Sequence, residues 1–234
     1  APSLVRRIAE TPGQELATHT FSHYFCGEAG ADPEAFRADL RAALDVAADR
    51  GHDLRSIVFP RNQYDARYLR VCAELGIRFY RGNPASRLWG PPRSPLGAVA
   101  QRAGRWLDDY VRVGGRADAP DPASVPGLPV DVPADRFLRP LSPRTRAVEP
   151  LRLRRIGEEM RRAAETGGTY HLWWHPHNFG AHPARNLAFL ARVLDRFGRL
   201  RDARGMRSAT MAEAGADALP REPSPASGLH AAHA

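Results

Sequence analysis

The sequence predicts an α/β fold with parallel strands, arranged as a sheet or a barrel. Three observations predict it. Short apolar or β-branched runs alternate with amphipathic stretches of helical period between residues 15 and 80. Histidines cluster directly after two such runs, at 19–23 and 171–177, and parallel folds carry functional side chains at the C-terminal ends of strands. The chain has 234 residues, 43% hydrophobic and 26% charged, which suits one domain of this class or two small ones.

Residues 3–10 read as the end of a helix, closed by Thr11-Pro12-Gly13, and residues 15–19 as a short strand. Asp32-Pro33 opens a helix, because aspartate accepts from the free N–H groups of the first turn and proline has none to satisfy there. Phe36, Leu40, Ala43, Leu44 and Ala47 repeat at helical spacing up to Gly51. Residues 55–59 form a β-branched strand. Residues 66–75 form a helix with Leu69, Cys72, Ala73 and Leu75 near one face, ended by Gly76, and 77–80 form the next strand. Pro, Gly and Ser make 82–95 a loop. Residues 96–113 read as helix, 114–148 as a long irregular crossing segment rich in Pro and Asp, and 149–166 as an Arg-rich amphipathic helix. Residues 169–174 read as a strand, 183–203 as a helix and 206–210 as a last strand. The domain is expected to span 1–216, with an Ala/Pro/Ser-rich disordered tail over 217–234.

Composition excludes several function classes. No apolar run approaches the roughly 18–20 residues of a membrane span. The net charge is +8, and all 34 basic residues are arginine. The arginines are spread along the chain among 26 acids, so they read as a solvated basic surface, not the clustered stripe of a nucleic-acid binder. Acidic glycans stay compatible as partners. Cys26 and Cys72 are too few for a disulfide framework, and reduced thiols are expected. The first residues show no basic segment leading into an apolar one. The compartment stays open, with the cytoplasm as the default expectation.

Thr18-His19-Thr20-Phe21-Ser22-His23 sets two histidines four residues apart, just after a strand. On a helical turn such positions share a face, so both imidazoles can meet one metal ion. Neutral imidazole suits zinc, and also cobalt, nickel or iron. The same spacing is compatible with two surface or capping histidines. Cys26 extends the pattern to H-x3-H-x2-C and offers a sulfur ligand, although a lone cysteine is more often a buried inert thiol.

The second cluster is His171-Leu172-Trp173-Trp174-His175-Pro176-His177. Strand alternation puts His171, Trp173 and His175 on one face and Leu172 and Trp174 on the other. His175 falls where proline ends the strand, and a histidine there suits proton transfer beside a metal. The alternative is a tryptophan core with hydrogen-bonded histidines. A third segment, Phe59-Pro60-Arg61-Asn62-Gln63, follows the 55–59 strand. Arg61 can grip a carboxylate with its planar fork or serve as a surface charge.

Together and in this order, these segments resemble the polysaccharide deacetylases, the NodB-type carbohydrate esterases, over roughly residues 3–214. The family's H-[ST]-x-x-H motif is matched by His19-Thr20-Phe21-Ser22-His23, and its last motif, an apolar strand ending in histidine, by Leu172-Trp173-Trp174-His175. Its Arg/Pro loop after a strand is matched loosely by Phe59-Pro60-Arg61-Asn62-Gln63.

The resemblance implies an incomplete, distorted (β/α) barrel that hydrolyses an acetyl group, usually an N-acetyl amide, from a sugar. It implies a divalent metal, zinc first with cobalt or nickel as alternatives, on His19 and His23. His175 would protonate the leaving amine and Arg61 would orient the base. Arg81 is a further candidate for the same shell. With Asn62, Trp173 and His177 it makes up the expected substrate contacts. The expected partner is an acetylated polysaccharide.

One family motif has no match. T-F-D-D carries a general base and a third metal ligand, and should precede the histidine pair. The carboxylates ahead of His19 are Glu10 and Glu15. The expectation is therefore a chain that begins inside the fold, with the first strands missing. Two other functions stay open: a non-catalytic glycan-binding relative, and an amidohydrolase acting on a small non-sugar amide.

Overall fold

The computed structural model describes residues 2–84, 94–111 and 121–219. Five short strands pair with one another in parallel, as the alternation of strands and helices suggests. They are β1 (Ser56–Ile57), β2 (Phe79–Gly82), β3 (Val130–Pro133), β4 (Arg136–Phe137) and β5 (Leu172–Trp173). β3 adds one antiparallel bridge, Asp131 beside Ala123. β2 lies between β1 and β3, with Ser56 beside Phe79 and Phe79 beside Val130, while Arg136 of β4 lies beside Leu172 of β5. One extended run joins the two sheets. The Ala134 N–H still donates to the Gly82 carbonyl, and the next N–H, of Asp135, donates to the His171 carbonyl. The described pairings make a three-stranded and a two-stranded parallel sheet and do not close into a ring.

Eight helices surround these strands among the described residues: α1 (Pro2–Ala9), α2 (Pro33–Ala48), α3 (Ala66–Glu74), α4 (Pro95–Asp108), α5 (Glu149–Thr166), α6 (Pro176–Phe179), α7 (Pro183–Arg204) and α8 (Met211–Ala216). α2 starts where the sequence puts it, with the Asp32 carboxylate accepting from the N–H groups of Glu34 and Ala35. Its Phe36 and Leu40 are fully buried with Ile57, Phe59, Tyr68 and Cys72. Each such side chain contributes about 1.5–3 kcal/mol of hydrophobic burial. A second core packs α5 on α7, with Leu153, Ile156, Phe189 and Val193 at its centre. Arg136 of β4 is also buried. It pairs with Asp108 and Asp109 at the end of α4 and with Glu159 of α5, so three elements converge on one guanidinium.

Several expectations need correction. The 15–19 strand shrinks to a single bridge, Thr18 beside Ile57, because Thr20 turns out of the extended region with φ 65°. The segment 114–148 is not wholly irregular. Val130 and Val132 of β3, and Ala134 just after it, alternate into the core under a period that Pro126, Pro129 and Pro133 obscure. The 206–210 strand is absent. That stretch leads instead into α8, whose Thr210 and Glu213 form a capping box. Ala218 and Leu219 pack against Phe79, Val130 and Val132. The expected tail from 220 on, and the parts of the 82–95 and 114–148 segments at 85–93 and 112–120, lie outside the described residues.

Candidate active site

The first histidine pair sits in a loop, not on a helical turn as its spacing suggests. Thr20 and His23 both adopt positive φ, 65° and 63°, and fold the segment back so that the two rings meet edge to face with centroids 4.8 Å apart. Non-glycine residues held in that region store strain, which concentrates at functional sites. Side-chain acceptors hold the loop. Thr18 Oγ1 accepts from the Thr20 N–H at 3.0 Å, and Thr20 Oγ1 accepts from the Tyr24 N–H at 2.8 Å. The Asp39 carboxylate of α2 accepts from the N–H groups of Phe21 and Ser22 and from the Ser22 hydroxyl.

His19 Nδ1 lies 2.6 Å from the Val58 carbonyl oxygen just beyond β1. A carbonyl only accepts, so Nδ1 carries the proton and Nε2 keeps its lone pair. Metal-binding histidines use this arrangement. Burial, His23, Arg81 and His175 together lower the His19 pKa, which keeps the ring neutral near pH 7.

The second cluster behaves as strand alternation requires. Leu172 and Trp174 pack into the α5–α7 core, with Trp174 stacked on Phe179 of α6. Trp173 and His175 turn the other way, with ring centroids 5.5 Å apart, and both touch Phe137 of β4. His175 precedes Pro176, which starts α6. The buried Asn186 ties that turn down by donating to the carbonyls of Phe179 and His182 and accepting from the Leu141 N–H. His177 stacks on His175 at 5.2 Å. Burial lowers the His175 pKa first, and His177, Arg81 and His23 add to it.

Arg81, at the end of β2, joins the two clusters. Its guanidinium carbon lies 4.0 Å above the Trp173 ring, and Nη2 donates to Asn62 Oδ1 at 2.7 Å. Asn62 and Arg61 both have positive φ, and the Asn62 carbonyl accepts from Asn83 at 3.1 Å. Of the candidates, His19, His23, His175, His177, Trp173, Arg81 and Asn62 thus form one neighbourhood. Arg61 lies at its edge, ion-paired to Glu28 and 4.0 Å over the Phe25 ring, which in turn meets His23.

Other carboxylates and thiols stay apart from the pair. Glu15 accepts from the Ser56 hydroxyl and the Ala212 N–H, so it anchors α8. Cys26 is buried in the α2–α3 core with its pKa pushed up to about 12, chiefly by burial, and among the described residues it forms no metal-binding group with the histidine pair. Among the described residues, no group of three or more His, Cys, Asp or Glu is placed to hold a metal ion. The two imidazoles fit a metal in donor type, and His19 also in tautomer, but two is fewer than the three protein ligands of a catalytic zinc site.

Three residues of this site escaped the sequence reading. Asp39 is one polar position on an amphipathic helix, Val58 acts through its carbonyl, and Phe137 belongs to a strand the prolines concealed. None carries a sequence signal.

No protein-family model and no curated protein matches the chain. Among solved structures it is similar to one described as "putative polysaccharide deacetylase from Mycobacterium smegmatis", with a TM-score of 0.62 and 16% identity over 95% of this chain and 70% of that one. The chain has a polysaccharide deacetylase-like fold.

Proposed function

We propose that this site belongs to a metal-dependent hydrolase that removes acetyl groups, N-acetyl above all, from a polysaccharide or sugar conjugate. The observation that carries the reading is the convergence of His19 and His23 from one end of the chain with His175 from the other. Each of His19 and His175 lies close enough to Arg81 to feel its charge. His19 and His23 are the proposed ligands of a divalent ion, zinc before cobalt or nickel. Such an ion supplies polarisation of the acetyl carbonyl and a bound water of lowered pKa.

The chain's own residues do the rest. His175 delivers a proton to the departing nitrogen, and its lowered pKa makes the imidazolium a stronger acid. Trp173 and His177 offer ring faces to the sugar. Asn62 fixes Arg81, and Arg61 closes the rim beside Phe25. The general base and the remaining metal ligand are carboxylates that the described residues do not bring to the site.

Acetate release from N-acetylglucosamine oligomers, measured with and without added zinc, cobalt or nickel, tests the reading. His19→Ala and His23→Ala are expected to abolish metal retention. His175→Ala is expected to keep the metal and lose about 10²–10⁴-fold in turnover. Metal loss in His175→Ala would overturn the assignment of roles. Cleavage of small amides in place of sugars would move the reading to an amidohydrolase. The other reading is a non-catalytic glycan binder, since the described residues hold no group of three or more metal ligands, and it predicts oligomer binding without acetate release under every metal.

A further inference from the structure

Among the described residues, Arg81 is a buried cation without an anion. Only 8% of its surface is exposed, and desolvation lowers its pKa to about 10, with Tyr64 as the opposing influence and no carboxylate. Neither acid of the neighbouring β3–β4 run acts on Arg81: Asp131 faces Tyr80 with its Oδ1 left without a hydrogen-bond partner among the described residues, and Asp135 accepts from the His171 N–H at 2.5 Å. Besides Tyr64, the groups that feel Arg81 are the imidazoles of His19, His171 and His175, all pushed toward neutrality. A guanidinium removed from water without a negative partner is strongly disfavoured.

A second, independent observation lies at the same place. Arg81 Nε, Trp173 Nε1 and His171 Nδ1 are buried polar atoms without a hydrogen-bond partner among the described residues. The first two are donors, and they belong to two side chains stacked on each other. The cluster thus lacks both negative charge and acceptor atoms, on the side chains that face the candidate site. A carboxylate supplies both, since it accepts two or more hydrogen bonds and pairs with the planar fork of arginine. The Trp173 ring beside it offers a platform for a sugar face.

We propose that Arg81 is a specificity-determining residue that binds a carboxylate of the substrate, so that the sugar taken by this site is acidic: a uronic acid, or an amino sugar bearing a carboxylate. The proposal deepens the deacetylase reading and rests on it for the sugar. It does not rest on it for the anion.

The test is calorimetric titration of the full chain with a uronic-acid oligosaccharide and with a neutral N-acetylglucosamine oligomer of equal length. The Trp173 indole N–H signal is followed alongside by NMR, and acetate release is measured on acetylated forms of both. The expected result is preference for the acidic oligosaccharide, a shift of the Trp173 indole signal with that ligand alone, and a loss of roughly ten- to hundredfold in its affinity in Arg81→Met. The indole readout uses the unsubstituted chain, so misfolding of Arg81→Met leaves the proposal testable. Equal binding of both oligomers, an indole unmoved by the acidic one, or a response to inorganic phosphate alone would overturn it. Acetate release at equal efficiency from both sugars sinks the proposal and keeps the deacetylase. Selective acidic binding without release from either sinks the deacetylase and keeps Arg81.

Discussion

Arg81 of β2 lies over the indole of Trp173 of β5, with its guanidinium carbon 4.0 Å from the ring centroid, although the two strands belong to different sheets. The stack spans the junction where the 130–138 run leaves β2 and takes up β5. It therefore couples the loop carrying His19 and His23 to the turn carrying His175. A desolvated cation over an indole contributes up to about 2 kcal/mol beyond burial. Trp173→Phe keeps a ring under the cation and is expected to cost about 1 kcal/mol. Trp173→Ala removes both platform and packing and is expected to cost about 3 kcal/mol. Urea unfolding of the two variants measures the difference, and equal losses would mean the stack contributes nothing.

Asp39 is the acceptor that shapes the histidine loop, taking the N–H groups of Phe21 and Ser22 at 2.8 and 2.9 Å. Without it, two backbone donors and the strained φ of Thr20 and His23 lose their restraint. Asp39→Ala is expected to destabilise the fold by only about 1–2 kcal/mol. Its larger effect is on the site, with cobalt affinity of the histidine pair falling about tenfold or more. A cobalt titration followed by absorption, run beside a thermal melt, separates the two. Unchanged cobalt affinity would show that the loop holds its shape unaided.

Gly215 of α8 approaches the sheet so closely that a Cβ there would stand 2.4 Å from the Phe79 ring and 3.1 Å from Val132. Both neighbours are buried and have no room to yield. Gly215→Ala is therefore expected to cost about 1–3 kcal/mol despite the better helix propensity of alanine. The melting temperature measures it. A neutral or stabilising result would mean that α8 is free to slide on β2 and β3.

The sequence made the helices legible and the strands less so. Asp32-Pro33 and the spacing from Phe36 to Ala47 mark α2 because capping and amphipathic period are local properties. The span 149–166 matches α5 for the same reason. The strands are only two to four residues long, and prolines bound β3 at 129 and 133, so period two has no length in which to show itself. At the site, chemical identity was readable in the residues themselves, but mechanical support was not. His19, His23 and His175 announce themselves by spacing and by the strand ends. The contacts that place them, Asp39 on the loop, the Val58 carbonyl on Nδ1 and Asn186 behind α6, are long-range and mix backbone with side chain. The family resemblance already names Arg81 as a site candidate, but its burial is not legible, because an arginine two residues before an Asn-Pro pair looks like any surface charge.

Asp135 and His171 predict how stability depends on pH. Burial raises the Asp135 pKa to about 7, against 3.8 ordinarily, and lowers that of His171 to about 4, against 6.5. Between about pH 4 and 7 the folded chain holds a proton on Asp135 that the unfolded chain has released, so this residue makes stability fall as pH rises. Between about pH 4 and 6.5 the unfolded chain holds a proton on His171 that the folded chain has lost, so that residue makes stability rise. The two slopes oppose each other across the shared window, and the wild-type contribution from the pair is nearly flat there. Asp135→Asn removes the falling slope and can still accept from the His171 N–H. Its stability is expected to climb from pH 4 to 6.5 more steeply than that of wild type. His171→Gln is expected to show the opposite trend, falling up to about pH 7. Urea unfolding midpoints at half-unit pH steps measure both curves. Parallel profiles for Asp135→Asn and wild type would show that Asp135 titrates as an ordinary surface carboxylate.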